Sequence, residues 1–158
     1  MSLLFAGTLL INALLLFLVQ PMVAKMLLPY LGGTPSVWTT CMVFFQAMLL
    51  GGYAYAHLTT IWLSPRRQMM LHLTLLLSAV LVFPIGISES AIQSLDGQTQ
   101  PVWWLLGRLL VMVGLPFFML STGWPLLQQW FSTTNHVAAK DPYFLYSASN
   151  LGSLVALL

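Results

Sequence analysis

The sequence predicts an all-α integral membrane protein with four complete transmembrane helices, the start of a fifth, and a cytoplasmic N-terminus. Three observations predict this class. The 158 residues are 59% hydrophobic and only 5% charged, with a mean hydropathy of +0.89, whereas a soluble domain carries roughly a quarter charged residues. The apolar residues form runs long enough to span a membrane. Short polar or Pro/Gly-rich stretches separate these runs.

The helix boundaries follow from the rule that about 20 mostly apolar residues span the hydrocarbon core. We expect one domain, 1–158, with complete helices at about 3–28, 37–58, 69–87 and 102–120. The last apolar run, 143–158, is short of that length, so we expect it to be an incomplete fifth helix and the chain to be a fragment or a split protein. The first run has neither a basic leader nor a small-residue cleavage site, which predicts a retained membrane helix.

The orientation follows from the lysines and arginines of the short loops, because positively charged loops stay in the cytoplasm. The loop SPRRQ (64–68) contains Arg66 and Arg67, and STTNHVAAKD (132–141) contains Lys140. The other two loops, PYLGGTP (29–35) and ESAIQSLDGQTQ (89–100), have no basic residue. The pattern therefore predicts that the chain begins in the cytoplasm.

The charged and metal-ligating residues exclude several functions. The five basic residues are scattered and form no basic patch, so we expect no nucleic-acid partner. The single cysteine, Cys41, has no second thiol for a disulfide or a thiolate metal site. No pair of histidines has the i, i+4 spacing of a helical metal site, so we expect no metal and no cofactor. A haem or pigment contact by His57 or His72 stays open.

Small residues and prolines predict how the helices pack and bend. Small residues four positions apart let two helix backbones approach closely. Three such pairs are candidate packing sites, with chance as the alternative: Ala47 with Gly51, Gly52 with Ala56, and Ala148 with Gly152. A proline inside a helix removes one backbone hydrogen bond. The expected breaks or kinks are at Pro21, Pro84 and Pro116.

Two basic residues lie inside the predicted membrane helices. Lys25, near the outer end of the first helix, and Arg108, near the outer start of the fourth, share one depth, because a helix rises about 1.5 Å per residue. No acidic residue lies within a predicted helix. One interpretation is that both stems lie in hydrocarbon while the charges reach the headgroups. The alternative is a shared anionic contact with a lipid, a solute or a partner subunit.

Several stretches resemble a known family. The run QPMVAKMLLPYLGGTPSVWTTCMVFFQAMLLGGYAYAH (20–57) is similar to the first membrane region of the fused major-facilitator/spermidine-synthase-like proteins of bacteria. The stretches PLLQQWF (125–131) and DPYFLYSASNLGSL (141–154) resemble the end of the fourth and the start of the fifth helix of that family. The matching positions are Gln20, Pro21, Lys25, Pro29, Gly32, Gly33, Trp38, Gln46, Gly52, Tyr53, Tyr55, His57, Asp141, Pro142, Tyr143, Asn150 and Gly152.

The resemblance implies a multi-pass protein of the bacterial inner membrane, often joined to a cytoplasmic domain with an aminopropyltransferase fold. This sequence departs from the family in having no glycine-rich nucleotide loop and no acidic residues placed to bind a polyamine. We therefore expect no catalytic residues and no enzyme activity from this chain. The expected partners are the lipid bilayer and either other membrane subunits or a missing C-terminal domain.

Two functions from different classes follow. The first is a non-catalytic transmembrane anchor or accessory subunit that packs in a larger membrane assembly. The second is a transporter-like or ligand-binding module, half of a major-facilitator-like bundle, that handles a small anion, a lipid or a polyamine-related solute. Lys25 and Arg108 are the candidate contacts for the ligand in the second case, and for a lipid or a partner in the first.

Overall fold

The computed structural model describes residues 2–81, 85–86 and 101–158, and within these ranges every regular element is helical. The predicted all-α class is thus confirmed. In chain order the elements are α1 (Ser2–Leu31), α2 (Pro35–Trp62), α3 (Pro65–Val80), α4 (Pro101–Leu109), a π-helical turn (Leu110–Gly114), α5 (Leu115–Ser132), a 3-10 turn (Val137–Lys140) and α6 (Tyr143–Ala156).

Three of these helical stretches are long and apolar enough to cross a membrane, namely Ser2–Leu31, Pro35–Trp62 and Val102–Ser132. The third runs from α4 through the π-helical turn into α5. With 16 and 14 residues, α3 and α6 are shorter than the about 20 residues of a usual span. The described helices therefore provide three candidate spans. The expected third span, 69–87, lies partly outside the described residues, so the count of four complete spans stays a prediction.

Several helix boundaries differ from the sequence prediction, and two of the differences have a local explanation. The third helix begins at Pro65 and not at residue 69, because extended Ser64 occupies the N-cap position and Pro65 is favourable at the first helical position. The fourth helical stretch continues to Ser132 and does not end at residue 120. Hydroxyls just beyond residue 120 do not interrupt it, since those of Ser121 and Thr122 donate to backbone carbonyls of the preceding turn.

The turn between α1 and α2 depends on a glycine. Gly32 has a φ of 71°, a left-handed conformation that glycine adopts without the steric cost of a Cβ. Its N–H donates to the Leu28 carbonyl at 2.9 Å, which closes the last turn of α1. Thr34 is extended and Pro35 begins α2.

The candidate proline kinks have different outcomes. Pro21 lies inside α1, which is continuous from Ser2 to Leu31, so the chain does not break there. A membrane helix tolerates the lost hydrogen bond because the remaining backbone bonds hold the helix together. Pro116 is the second residue of α5, two positions after the π-helical turn ends at Gly114. Pro84 lies outside the described residues.

The packing shows how the helices run relative to each other. Buried Leu9, Phe131 and Leu145 form one cluster, so the start of α1, the end of α5 and the start of α6 meet at one end of the bundle. A second buried cluster contains Leu27 of α1 and Leu105 of α4, with Val37 of α2 packed against it. The end of α1 and the starts of α2 and α4 therefore meet at the opposite end.

Three glycines bring helix backbones into close contact. A Cβ at Gly52 of α2 would lie 2.8 Å from the Ser121 Cβ of α5. A Cβ at Gly123 would lie 2.7 Å from the Asn12 Cγ of α1, and one at Gly152 of α6 would lie 2.9 Å from the Leu10 carbonyl carbon. Real Cβ atoms do not approach heavy atoms so closely. Glycine is thus required where α2 meets α5 and where α6 meets α1, whereas Gly123 leaves room for the side-chain amide of Asn12.

Candidate functional site

The structure places Lys25 and Arg108, the two basic residues inside predicted membrane helices, in different environments. Lys25 is exposed on α1, where its neighbours Val23, Ala24 and Leu27 are buried. Arg108 of α4 is partly buried. Leu105 and Leu109, which flank Arg108, share a buried cluster with Val23 and Leu27, and within this cluster α4 packs mainly on α2. Neither Lys25 nor Arg108 lines the cavity of about 760 Å³ that described residues of α1, α3 and α5 form.

The candidate packing residues separate into two groups. Gly52, Ala56 and Gly152 are buried, with Gly52 against Ser121 of α5 and Gly152 against Leu10 of α1. Gly51 and Ala148 are half-buried. Ala47 is exposed on the outer side of α2 and makes no tight contact inside the bundle.

An amide cluster joins three helices at the end of the bundle where α1 begins. Gln68 of α3 is 2% exposed. Its Nε2 donates to the hydroxyls of Thr59 and Thr60 of α2 at 2.9 and 3.0 Å, and its Oε1 accepts a 3.0 Å hydrogen bond from Trp130 Nε1 of α5. These bonds are the main polar attachment of α3, which buries only Gln68 and Ala79.

A cavity of about 760 Å³ lies between α1, α3 and α5. We call it the α1–α3–α5 cavity. The cavity exists because α3 packs on α5 but hardly touches α1. Beyond the Gln68 cluster the space between α1 and α3 therefore stays open. Its walls are almost entirely apolar, with four polar exceptions: Thr8, Asn12, His72 and Trp130.

The four polar residues lie in the half of the cavity nearest the start of α1. Three of them already make hydrogen bonds: the Thr8 hydroxyl donates to the Leu4 carbonyl at 2.8 Å, Asn12 Nδ2 to the Leu120 carbonyl at 3.1 Å, and Trp130 Nε1 to Gln68. His72 is the exception. Its Nδ1 is buried and has no hydrogen-bond partner within the described ranges.

The imidazole of His72 is held by aromatic neighbours. Its ring centroid lies 5.9 Å from that of Trp130 and 6.3 Å from that of Tyr55. The Tyr55 hydroxyl is also buried and without a hydrogen bond in the part of the chain that the structure describes. Buried polar atoms in native proteins are nearly always hydrogen-bonded. The His72 Nδ1 and the Tyr55 hydroxyl are thus two exceptions, each covered by protein and without a hydrogen-bond partner in the described part of the chain.

A second surface lies on the outer side of α2. Exposed residues recur at steps of three and four positions and so share one face of the helix. We call this face the α2 outer stripe, formed by Val43, Gln46, Ala47, Leu50, Ala54, His57 and Ile61. It combines two polar side chains with two alanines along a helix long enough to span a membrane.

The Gln46 amide lies within this span and makes no hydrogen bond to any residue that the structure describes. His57 shares the same outer stripe, whereas His72 faces the cavity. The described residues contain no group of three or more His, Cys, Asp or Glu side chains able to hold a metal ion.

Reasoning from the sequence missed the residues that organise both surfaces. Gln68 was assigned to a loop, and Asn12, Ser121 and Trp130 were not singled out. One signal was available: Gln68 and His72 are four residues apart and therefore lie on one face of a helix that begins at Pro65.

Comparison with known protein families, with curated proteins and with solved structures finds no match to this chain. The resemblance to the fused major-facilitator/spermidine-synthase-like proteins therefore stays a prediction. Fold and site together define an all-helical protein with helices long enough to span a membrane, an apolar cavity and an outward stripe of mixed polarity.

Proposed function

We propose that this chain is a non-catalytic membrane module that packs as an anchor or accessory subunit against another membrane protein through the α2 outer stripe. One observation carries the proposal. The Gln46 amide points away from the bundle within a helix of membrane-spanning length. In hydrocarbon an unsatisfied amide is unfavourable, and a glutamine that finds a partner across a helix interface stabilises that interface.

The neighbours of Gln46 support the same proposal. Ala47 and Ala54 are seven residues apart on the stripe and present little side-chain bulk. Small residues allow a second helix to approach closely, and close packing is a main driving force for helix association in lipid. A purely lipid-facing stripe needs neither the amide nor the small residues.

We propose further that the bundle end at which α1 begins faces the cytoplasm, and that α3 and α6 belong to two additional membrane-crossing segments. The first turn of α3, with exposed Arg66 and Arg67, and the 3-10 turn that ends at Lys140 both adjoin this end. Loops with an excess of basic residues stay cytoplasmic. In a bacterium the membrane would be the inner membrane.

Site-specific photocrosslinking tests the accessory role. A photoreactive amino acid replaces Leu50, which is 72% exposed on the α2 outer stripe, or Leu77, which is 59% exposed on α3, and the chain is irradiated in its own membrane. We expect Leu50 to give a discrete crosslink to a second membrane protein and Leu77 to give only lipid adducts. The variant Gln46→Leu should weaken the Leu50 crosslink, because the interhelical hydrogen bond is lost.

The matched control is Gln129→Leu, which removes an exposed amide from α5 without touching the stripe. It should leave the Leu50 crosslink unchanged. Lipid adducts alone at Leu50, or a crosslink between two copies of the chain, would contradict the accessory role.

A second proposed function, a ligand-binding module, is favoured by the α1–α3–α5 cavity. Among the described residues that line it, none is charged. Such walls suit a lipid-like solute better than a small anion or a polyamine, since a charge in an apolar cavity needs a partner. This proposal does not involve Lys25 or Arg108.

A further inference from the structure

We propose that the α1–α3–α5 cavity holds one acyl chain of an anionic phospholipid, whose phosphate lies outside the cavity against the guanidinium of Arg66. This inference rests on the ligand-binding module, the second proposed function, and names its ligand class and its head-group contact. It is independent of the accessory role of α2.

The cavity has the length and the lining for a hydrocarbon chain. Thr8 and Met22, the first and the last residues of α1 that line it, are fourteen positions apart, which is about 21 Å along a helix. One leaflet of a bilayer contributes about 15 Å of hydrocarbon. The cavity is therefore long enough for the chain of a lipid, and its apolar walls are the complement of such a chain.

The cavity opens sideways between α1 and α3. These two helices hardly touch in the described part of the chain. Leu15 of α1 and Leu73 and Leu76 of α3 line the cavity, and their side chains are exposed. A lipid can therefore insert one chain from the surrounding bilayer while its head stays at the level of the other headgroups.

Arg66 lies at one end of the row of α3 residues that runs along the cavity. Met69 and Leu73 line the cavity, and Arg66 precedes them by three and seven positions, so the three residues share one side of the helix. Arg67 is turned from Arg66 by about 100°, in the direction away from this row. Of the two arginines in the first turn of α3, only Arg66 thus adjoins the cavity.

The side chain of Arg66 is free to bind an anion. It is exposed and makes no ion pair or hydrogen bond with a residue that the structure describes, which includes Asp141. Trp62, which is 74% exposed at the end of α2, lies near the same turn, and exposed tryptophans are typical of the headgroup level of a membrane. Arg66 is therefore placed where the phosphates of lipids lie.

The cavity and Arg66 together define the ligand class. Arginine favours anionic lipids at a membrane surface and binds phosphate oxygens with charge-assisted hydrogen bonds. A neutral lipid would leave Arg66 without a counter-charge. A free phosphate would leave the apolar cavity unfilled. An anionic phospholipid satisfies both features at once.

The experiment compares two photoreactive lipids with the same acyl chains, phosphatidylglycerol with an anionic head and phosphatidylcholine with a zwitterionic head. Each is added in small amount to phosphatidylcholine nanodiscs that contain the full chain, and labelled residues are mapped by mass spectrometry. We expect phosphatidylglycerol to label cavity residues about fivefold more than phosphatidylcholine, the factor expected for one arginine near the membrane surface. Inorganic phosphate at constant ionic strength should not reduce this labelling.

Two pairs of variants locate the site. Arg66→Gln should remove the preference for phosphatidylglycerol, whereas Arg67→Gln, equally exposed but on the other side of α3, should retain it. Leu73→Trp fills the cavity and should abolish cavity labelling by both lipids. Leu77→Trp is the matched control, because Leu77 is similarly exposed at 59% against 56% and does not line the cavity.

The outcomes separate the two levels of the proposal. If neither lipid labels the cavity, or if Leu73→Trp changes nothing, the inference and the ligand-binding module are both overturned. If both lipids label the cavity equally, or if Arg66→Gln and Arg67→Gln have the same effect, the module stands and the anionic head-group contact is overturned. Loss of the labelling in inorganic phosphate would overturn the phospholipid in favour of a free anion.

Discussion

Trp130 of α5 donates a hydrogen bond to the side chain of Gln68 of α3, with 3.0 Å between Nε1 and Oε1. The same amide donates from Nε2 to Thr59 and Thr60 of α2. Because α3 otherwise buries only Ala79, this single amide sets where the start of α3 lies. Beyond this cluster α3 hardly touches α1, and the α1–α3–α5 cavity lies between the two helices.

Replacing this amide should release α3. We expect Gln68→Leu to lower the stability of the folded chain by about 2 kcal/mol, from about 0.6 kcal/mol for each of three interhelical hydrogen bonds. Thermal unfolding in detergent measures the loss, and hydrogen exchange should increase in α3 more than in α1. Gln129→Leu is the control, since its amide is exposed. An equal loss in both variants would show that the Gln68 hydrogen bonds do not hold α3.

The contact between α6 and α1 should be sensitive to one methyl group. In Gly152→Ala the new Cβ would overlap the Leu10 backbone, which belongs to a helix and cannot move aside like a flexible side chain. We expect a loss of about 1–3 kcal/mol, measured as a lower Tm. Gly107→Ala is the matched control, because nothing lies within 4 Å of its Cβ position and alanine favours the helix. A Gly152→Ala protein as stable as wild type would contradict the close approach of α6 to α1.

Lys25 should contribute little to the stability of the isolated chain. It is exposed on α1, so we expect Lys25→Met to change the free energy of unfolding by less than about 0.5 kcal/mol. Arg108→Met should cause a larger loss because Arg108 is partly buried. Chemical unfolding in detergent measures both values. The reverse order would show that Lys25 makes an essential contact.

The proposed orientation predicts which loops a membrane-impermeant maleimide can reach. Thr34→Cys in the α1–α2 turn should be labelled from outside intact cells, and Ser64→Cys in the α2–α3 turn only after permeabilisation. The native Cys41 is 2% exposed and serves as the unlabelled background. Labelling of Ser64→Cys in intact cells and not of Thr34→Cys would invert the orientation.

The sequence predicted the all-helical class because long, uninterrupted apolar runs are typical of membrane-spanning helices. It was less successful at helix ends. The predicted end of the fourth helix at residue 120 was too early, because α5 continues through Ser121, Thr122, Gln128 and Gln129 to Ser132. Hydroxyls bonded to their own helix do not end it, and Gln128 donates to the Tyr146 hydroxyl at 3.1 Å.

The site residues depend on tertiary contacts that spacing does not reveal. The hydrogen bond from Asn12 to Leu120 joins residues 108 positions apart, and the cavity exists only because α3 diverges from α1. The four-residue spacing of Gly52 and Ala56 identified a face that is buried in the structure, but the same spacing also selected exposed Ala47. Small residues predict that a helix can be approached closely and do not identify the neighbour that approaches.

Native mass spectrometry of the chain, purified in mild detergent from its own membrane, tests the accessory role most directly. We expect a stable complex that contains the chain and at least one other membrane subunit, and loss of that subunit in the double variant Gln46→Leu with Ala47→Phe. A bare monomer from the wild-type protein, or a complex that the double variant leaves intact, would contradict the proposal that the α2 outer stripe binds a partner.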